Sequence, residues 1–428
     1  MESENHKKDT PRDASQNASK DASKDAIKNY AHNLRVYISF GILFELMNTL
    51  FNPFAMKYLE RIGGTDFDIS LFNGLKGLVM VFAVLPGVFL LDRLNDKKRI
   101  TGQMVLVGVF FVLSLVIVPF LPQSMQPFVF ILLMTFMTVP NALFNVSYQD
   151  LTGDLFPQNR AWVLSKRAMY TIVFTNILTL LTGLVFRWWG KDSETIIFIY
   201  QVFYIMAFVL GIGAYLVFRT FDYTPREHVK PLSFKGSFKR VFSHKPFKEF
   251  VIASTVFHFG WQMGWPLFNI YMIKNLGADE LWLSLISIGS AITMFFGHRY
   301  WPSAIKKYGP ERITTICVAG MAVTPILYVL SPNLLILSII SSTSGFFTAG
   351  TITVLFTDML EVTPEENRIV YVGYYNTLTN ITLAISPFVG LFFLQQFDIF
   401  VALIVTAAMR FVGVIAFYIR EKRWHTMH

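Results

Sequence analysis

Long apolar segments recur along this chain, separated by short polar connections. Each is about 20 residues long, which in a helix is enough to cross a hydrocarbon core about 30 Å thick. Transmembrane β-strands would alternate apolar and polar positions, and these segments do not. The pattern predicts twelve membrane-spanning helices, at residues 36–57, 69–91, 100–121, 127–147, 166–187, 195–218, 249–273, 280–299, 313–330, 333–355, 370–393 and 398–419.

The composition is that of a membrane protein. Of the 428 residues, 53% are hydrophobic and 16% aromatic, and the mean hydropathy is +0.47, whereas a soluble domain needs a more charged exterior. The single cysteine, Cys317, lies in an apolar segment, which excludes intrachain disulfides and multi-cysteine metal sites. No nucleotide-binding loop, metal-ligand spacing or Ser-His-Asp grouping is found, so we expect neither an enzyme nor a cofactor.

The basic residues lie mostly on one side of the predicted membrane. An even number of spans puts both termini on that side, and only five of the 37 Lys and Arg residues fall on the other side. These five are Lys57, Arg61, Arg187, Lys191 and Lys274, while Lys76 and Arg410 lie inside spans. The positive-inside rule then predicts a plasma-membrane protein with both termini cytoplasmic. This asymmetry accounts for the net charge of +9 without a nucleic-acid partner.

The spans divide into two related halves. With a constant shift of 213 positions, residues 258–279 align with residues 45–66 without a gap. The aligned pairs include His258 with Glu45, Pro266 with Pro53, Lys274 with Arg61, and Asp279 with Asp66. The predicted domains are a disordered cytoplasmic tail at 1–33, an N-terminal half at 34–218, a basic linker at 219–248, a C-terminal half at 249–420 and a short tail at 421–428. The aromatic and basic linker is suited to lie on an anionic lipid leaflet.

Polar side chains inside the first-half spans are candidates for a solute cavity, because such groups are costly in lipid. Glu45, Asn48 and Asn52 share one face of span one, with Glu45 near mid-depth. Lys76 in span two can pair with Glu45, contact an anionic solute, or extend outward to the headgroups. The first-half candidates are Glu45, Asn48, Asn52, Lys76, Asn141 and Asn145.

The second half contributes an aromatic set. Its candidates are His258, Trp261, Gln262, Trp265 and Asn269 on one face of span seven, and Tyr374 of span eleven. The two tryptophans lie one to two turns deeper than the interfacial belt where tryptophan is usually found. Their indoles can stack on a sugar ring or a planar solute. The alternative is a packed aromatic core with a hydrogen-bonded histidine.

A second repeat marks two cytoplasmic helix ends. Asp150 and Arg160 follow span four with the same separation as Asp358 and Arg368 after span ten. A carboxylate and an arginine at fixed spacing can form charge-assisted bonds in one conformation and not another. The four residues are therefore candidate gate elements, and ordinary solvated loops are the alternative.

Two six-span halves joined by a basic linker resemble the major facilitator superfamily over residues 34–420. The family pattern Gly-x-x-x-Asp-Arg-x-Gly-Arg-Lys corresponds here to residues 88–99, where the Asp-Arg pair and the basic cluster match and the two glycine positions do not. The resemblance implies an all-α membrane protein with twelve transmembrane helices in two pseudo-symmetric six-helix bundles. It also implies a gating role for Asp92, Arg93 and Lys97.

The resemblance and the cavity candidates together indicate a monomeric secondary transporter for a small polar or amphipathic solute, such as a sugar, a glycoside or an organic anion. We hypothesise proton coupling through Glu45, with His258 or Lys76 adjusting its proton affinity. Multidrug efflux, a transporter-like sensor and a lipid flippase are the alternatives. Span five lacks the Gly-Pro core found in many proton-linked drug antiporters of the superfamily, which argues against efflux of that kind.

Overall fold

The computed structural model describes residues 11–92, 96–156, 160–223, 237–364 and 368–427. All regular secondary structure in these ranges is helical. The helices of the first half are α1 (Pro11–Thr49), α2 (Ala55–Arg61), α3 (Asp66–Asp92), α4 (Lys97–Ser114), α5 (Gln126–Leu155), α6 (Arg160–Trp189) and α7 (Ser193–Arg219). They are followed by α8 (Ser237–Ser243), α9 (Lys245–Ile270), α10 (Glu280–Tyr308), α11 (Pro310–Val329), α12 (Leu334–Glu361), α13 (Arg368–Gln396) and α14 (Ile399–Met427). Short 3₁₀ segments at Asn52–Phe54 and Leu115–Phe120 and a π-helical turn at Tyr271–Asn275 extend α1, α4 and α9.

The twelve predicted spans correspond to the twelve long helices. Ten helical stretches within the described ranges are long and apolar enough to cross a membrane, and α3 and α9, with 27 and 26 residues, complete the set. Several helices run past the predicted limits, because backbone hydrogen bonding continues into water whereas hydrophobicity marks only the part in lipid. One of these, α1, begins at Pro11, inside the segment predicted to be a disordered tail. Alanine and lysine, frequent there, favour helix.

We call the end of the bundle where the chain enters α1 and leaves α14 the terminal end, and the opposite one the distal end. Four helices that start at the distal end, α7, α10, α12 and α14, have an Asp or Asn cap, whose side chain accepts a hydrogen bond from a free backbone N–H of the first turn. Asp192 caps α7 through Thr195 at 2.8 Å, and Asp279 caps α10 through Trp282 at 2.9 Å. These caps determine the residue at which each of these helices begins after its distal connection.

The halves meet along two pairs of helices, α3 with α13 and α6 with α10. Glycines permit the first approach: a Cβ at Gly77 would overlap the backbone at Ala384, and one at Gly74 would lie 2.5 Å from the Phe388 ring. In the second pair, a Cβ at Gly183 would overlap the Ser284 hydroxyl. Smaller contacts of α3 with α9, and of the Asn52–Phe54 segment with α10, add to this interface.

Two prolines inside helical segments leave a backbone carbonyl without its usual N–H donor, and a side chain from another helix donates to each of these carbonyls. Pro325 lies four residues after Met321 in α11 and has no N–H to donate to its carbonyl. The guanidinium of Arg410 donates to that oxygen instead, with 2.8 Å between Nη1 and O. In the 3₁₀ segment, Pro119 likewise leaves the Val116 carbonyl, which accepts from Gln201 at 3.0 Å. These bonds offset the local cost of a proline inside a helix.

Candidate functional site

The two halves enclose a central space that is closed at the distal end. Among the residues whose side chains the structure describes, every hydrogen bond and ion pair between the halves lies at that end. Mid-span Glu45 nevertheless keeps 41% of its side chain exposed. Because lipid does not solvate a carboxylate, we take the exposed face of Glu45 to line the central space, reached from the terminal end.

Glu45 forms an ion pair with Arg167 of α6, with 3.3 Å between Oε1 and Nη2. Gly41, one turn before Glu45, provides the room for this side chain, because a Cβ there would overlap Arg167 Nε. The guanidinium carbon also lies 5.3 Å from the ring centre of Tyr37 and 5.4 Å from that of Tyr148. Aromatic faces stabilise a cation at such distances. The first-half wall thus holds a carboxylate and a guanidinium cation next to each other.

Lys76 does not pair with Glu45, whose cation is Arg167. Its Nζ lies 3.5 Å from the ring centre of Phe72, one turn earlier on α3, and its side chain is half-buried rather than extended to the distal surface. None of the described carboxylates forms an ion pair with it.

The asparagines of the first half differ in what they contact. The Asn52 amide lies 3.5 Å from the side-chain oxygen of Asn48, a long contact between the 3₁₀ segment and the end of α1. Asn141 faces α4, because a Cβ at Gly108 would lie 3.3 Å from its Oδ1. Asn145, one turn further on, is exposed. The structure thus keeps Asn48 on the Glu45 face and places Asn141 against a helix of its own half.

His258 of α9 is buried and hydrogen-bonded within its own helix. Its Nδ1 lies 2.8 Å from the Ser254 carbonyl oxygen, and because a carbonyl only accepts, Nδ1 carries the proton. The neutral ring then has Nε2 as an acceptor. The ring packs 5.4 Å from Trp261 and 5.9 Å from Tyr375. The structure thus combines the hydrogen-bonded histidine of the alternative interpretation with one ring nitrogen able to accept from a solute hydroxyl.

The other candidates of α9 fall into two groups. Trp261 and Trp265 are half-buried and contact each other edge to face with 6.1 Å between ring centres. Gln262 instead joins α9 to α13: its Oε1 accepts from Thr382 at 2.6 Å, and its Nε2 donates to the Thr379 carbonyl at 3.1 Å. Both ends of Gln262 are therefore engaged in helix packing rather than held ready for a solute.

Asn269 and Tyr374 are also engaged elsewhere. The Asn269 amide donates to the Trp265 carbonyl at 3.0 Å, one turn back on the same helix. Tyr374 is buried near the terminal end, with its ring 5.9 Å from Phe238 and 5.8 Å from Phe242 of α8. The structure therefore does not bring Tyr374 to the other candidates.

Tyr375, the next residue, takes the place expected for Tyr374. Its hydroxyl lies 3.4 Å from Ser254 Oγ, beside His258. Neighbouring residues of a helix point about 100° apart, so a shift of one position changes which face a side chain occupies.

Of the predicted gate residues, Lys97 and Asp358 have side chains in the described part of the chain. Lys97 pairs with Asp154 at 3.0 Å within the first half. Asp358, fully buried, accepts two hydrogen bonds from Arg420 of α14, at 2.6 and 2.7 Å, within the second half. Arg93 and the side chains of Asp92, Asp150, Arg160 and Arg368 lie outside the described residues.

Sequence reasoning missed Arg167. Its position two residues into predicted span five grouped it with the basic residues at the cytoplasmic surface. Helix α6 begins at Arg160, so Arg167 lies two turns inside the helix. The available signal was Gly41, which shares a face with Glu45 and leaves a gap that a long side chain from a neighbouring helix can fill.

The family profile described as Major Facilitator Superfamily matches residues 38–296 and 250–426. The chain therefore belongs to the Major Facilitator Superfamily. No curated protein sequence matches it.

Three solved structures with the same fold are distant from this chain in sequence. A single-residue mutant of the nucleoside transporter NupG superposes with a TM-score of 0.69 at 13% identity, covering 90% of this chain and 99% of that one. A POT family transporter in complex with a thioalcohol-conjugated peptide gives 0.69 at 12% identity, covering 91% and 96%. A single-residue mutant of the Escherichia coli fucose:proton symporter FucP gives 0.59 at 13% identity, covering 92% and 99%. These likenesses confirm the predicted fold of two six-helix halves.

Proposed function

We propose that this protein is a proton-coupled secondary transporter of the plasma membrane, working as a monomer with both termini in the cytoplasm. Its solute is a small polar or amphipathic molecule such as a sugar, a glycoside or an organic anion. The observation that carries the proposal is the Glu45–Arg167 pair, a mid-span acid that is 41% exposed beside a cation. Ionisable groups at this depth mark proton and substrate pathways in transporters.

The pair suits a coupling role because its two states differ in charge balance. With Glu45 ionised, the acid and Arg167 neutralise each other across 3.3 Å. Protonation of Glu45 leaves the Arg167 charge without its partner, and an anionic or hydroxylated group of the solute can then take the vacated hydrogen bonds. Proton and solute would thus share one cation.

The second wall has the chemistry for holding the solute. Trp261 and Trp265 offer half-buried indole faces, and His258 offers an Nε2 acceptor, as derived from the bond at Nδ1. Indoles stack on the apolar faces of sugars and planar rings, while a single acceptor orients a hydroxyl. Fold relatives that carry a nucleoside or fucose, as their names state, support a solute of this size.

Purified protein in liposomes containing a pH-sensitive dye tests the coupling. Addition of uridine, fucose, a dipeptide or a phenyl glycoside outside should acidify the lumen for at least one of them. Glu45→Gln should abolish the acidification while downhill exchange of labelled solute persists. Glu194→Gln, an exposed glutamate at the start of α7, is the control and should behave as wild type. Solute-driven acidification that survives in Glu45→Gln would refute the role of Glu45.

A further inference from the structure

One exposed face of α10 changes from apolar to basic towards the terminal end of the helix. Six exposed residues share this face, in the order Leu285, Ile292, Phe296, Arg299, Ser303 and Lys307. Successive members are three, four or seven residues apart, which keeps them on one side of a helix. Another side of α10 packs on α12, where Trp301 Nε1 donates to the Phe346 carbonyl at 2.8 Å. The basic positions therefore continue the surface that the apolar positions begin.

The apolar part of this face contacts lipid. Ile292 and Phe296 are 53% and 58% exposed, and a helix that crosses a membrane presents such side chains to acyl chains. The exposed polar residues Ser287 and His298 lie about 160–180° around α10 from Phe296, on the side suited to the central space. The basic end of the face therefore lies directly beyond a lipid-covered surface, at the level of the headgroups.

The cations at this end have no acid partner among the described residues. Arg299 and Lys307 are exposed, as is Arg312 in the first turn of α11, and none of them forms an ion pair with a described carboxylate. Glu311, the acid of this connection, is 7% exposed and lies close to Glu361 of α12. Three positive charges thus lie at the membrane surface without a described protein anion to neutralise them.

The direction of α10 turns its cations towards the membrane. The helix runs from the distal to the terminal end, and each Cα–Cβ bond tilts towards the start of its helix, so Lys307 leans back towards the lipid. Its Cα lies about 12 Å beyond that of Arg299 by helix rise, and a headgroup layer is about 5–8 Å deep. The Tyr308 ring centre lies 5.0 Å from Lys307 Nζ and 5.9 Å from the guanidinium carbon of Arg312. One aromatic ring therefore holds the second and third cations together.

We propose that this face of α10, together with Arg312, binds one anionic phospholipid. Its acyl chains lie along Ile292 and Phe296, and its phosphate lies among the cations of Arg299, Lys307 and Arg312. A lipid is the occupant because the apolar and basic positions are continuous, so that one molecule with both parts contacts the whole face. The site lies outside the central space, and its occupation does not depend on which solute is carried.

Native mass spectrometry of the full chain, released from a neutral detergent, counts the bound lipids. Titration with phosphatidylglycerol should give one high-affinity adduct, and phosphatidylcholine with the same acyl chains should not. Arg299→Gln combined with Lys307→Gln should weaken phosphatidylglycerol binding roughly 25-fold, because each cation near an anionic lipid contributes about 5-fold. Lys191→Gln removes an exposed cation at the distal end, and this matched control should bind as wild type.

Further variants separate a lipid site from a site for free anions. Phe296→Ser leaves the charge unchanged and should still weaken phosphatidylglycerol binding, because an acyl-chain contact is lost. Arg299→Lys combined with Lys307→Arg keeps both charges and should retain binding. Inorganic phosphate at millimolar concentration should not displace the lipid. Equal binding of the two lipids, unchanged binding in the double glutamine variant, or displacement by inorganic phosphate would overturn the proposal. Every substituted side chain is exposed, so these variants should fold as the wild type does.

Discussion

Arg410 offers a test of how a charge is accommodated inside this bundle. The side chain is fully buried in α14, and no described carboxylate pairs with it. Its guanidinium donates instead to three backbone carbonyls, those of Gly260 at 3.2 Å, Trp261 at 3.0 Å and Met321 at 2.8 Å. The contacts join α14 to α9 and α11, and all three are made to the backbone.

Arg410→Met and Arg410→Lys should destabilise the protein to different extents. With methionine, the Gly260 and Trp261 carbonyls keep their helical donors, and only the Met321 carbonyl, deprived of a donor by Pro325, is left unpaired, at a cost of about 1–3 kcal/mol. With lysine, the charge stays buried, but a single ammonium group replaces the planar guanidinium whose three nitrogens reach three carbonyls. An under-solvated buried charge costs about 3–5 kcal/mol, so the chemically conservative variant should be the less stable one.

The sole cysteine provides the assay. Cys317 is buried in α11 and becomes available to a thiol-reactive fluorogenic dye only when the helices separate. Thermal unfolding in detergent should therefore give apparent melting temperatures in the order wild type, Arg410→Met, Arg410→Lys. A lysine variant as stable as the methionine variant, or more so, would refute the reasoning that the planar guanidinium solvates these carbonyls.

Two further predictions concern packing and a buried pair. Gly260→Ala should destabilise by about 1–3 kcal/mol in the same dye assay, because its Cβ would lie 2.7 Å from the α14 backbone. Gly213→Ala, whose Cβ would meet its nearest atom at 3.9 Å, should be neutral or slightly stabilising, and equal losses would contradict the packing. Asp358→Asn should cost about 3–5 kcal/mol by leaving Arg420 buried without its acid. Asp398→Asn, an exposed cap where either residue serves, should leave stability unchanged, and a harmless Asp358→Asn would show that the buried pair contributes little.

The helices could be predicted from the sequence because length and hydrophobicity are local properties. Every predicted span overlaps a long helix, and the differences are at the ends: α10 ends at Tyr308 rather than 299, and α1 ends at Thr49 rather than 57. The membrane limits hydrophobic side chains, whereas the helix ends where a cap or proline interrupts its hydrogen bonds. Hydropathy alone therefore cannot locate the residue at which a helix ends.

The partners within the site could be predicted less well, because they depend on helix rotation as well as depth. Depth and sequence spacing placed Glu45 and Lys76 in the same region, yet the cation of Glu45 is Arg167 and Lys76 lies against Phe72. The repeat predicted that the two halves are related. It did not reveal that Arg61 would reach across to Glu280, since contacts between halves depend on the conformation as well as the sequence.

The most direct test of the account is solute accumulation in liposomes that contain only this protein. With an imposed pH gradient and no nucleotide, at least one labelled solute among uridine, fucose, a dipeptide and a phenyl glycoside should accumulate above its external concentration. A protonophore should abolish that accumulation. A protein that binds one of these solutes yet moves none of them, or accumulates one equally without any ion gradient, would contradict secondary active transport.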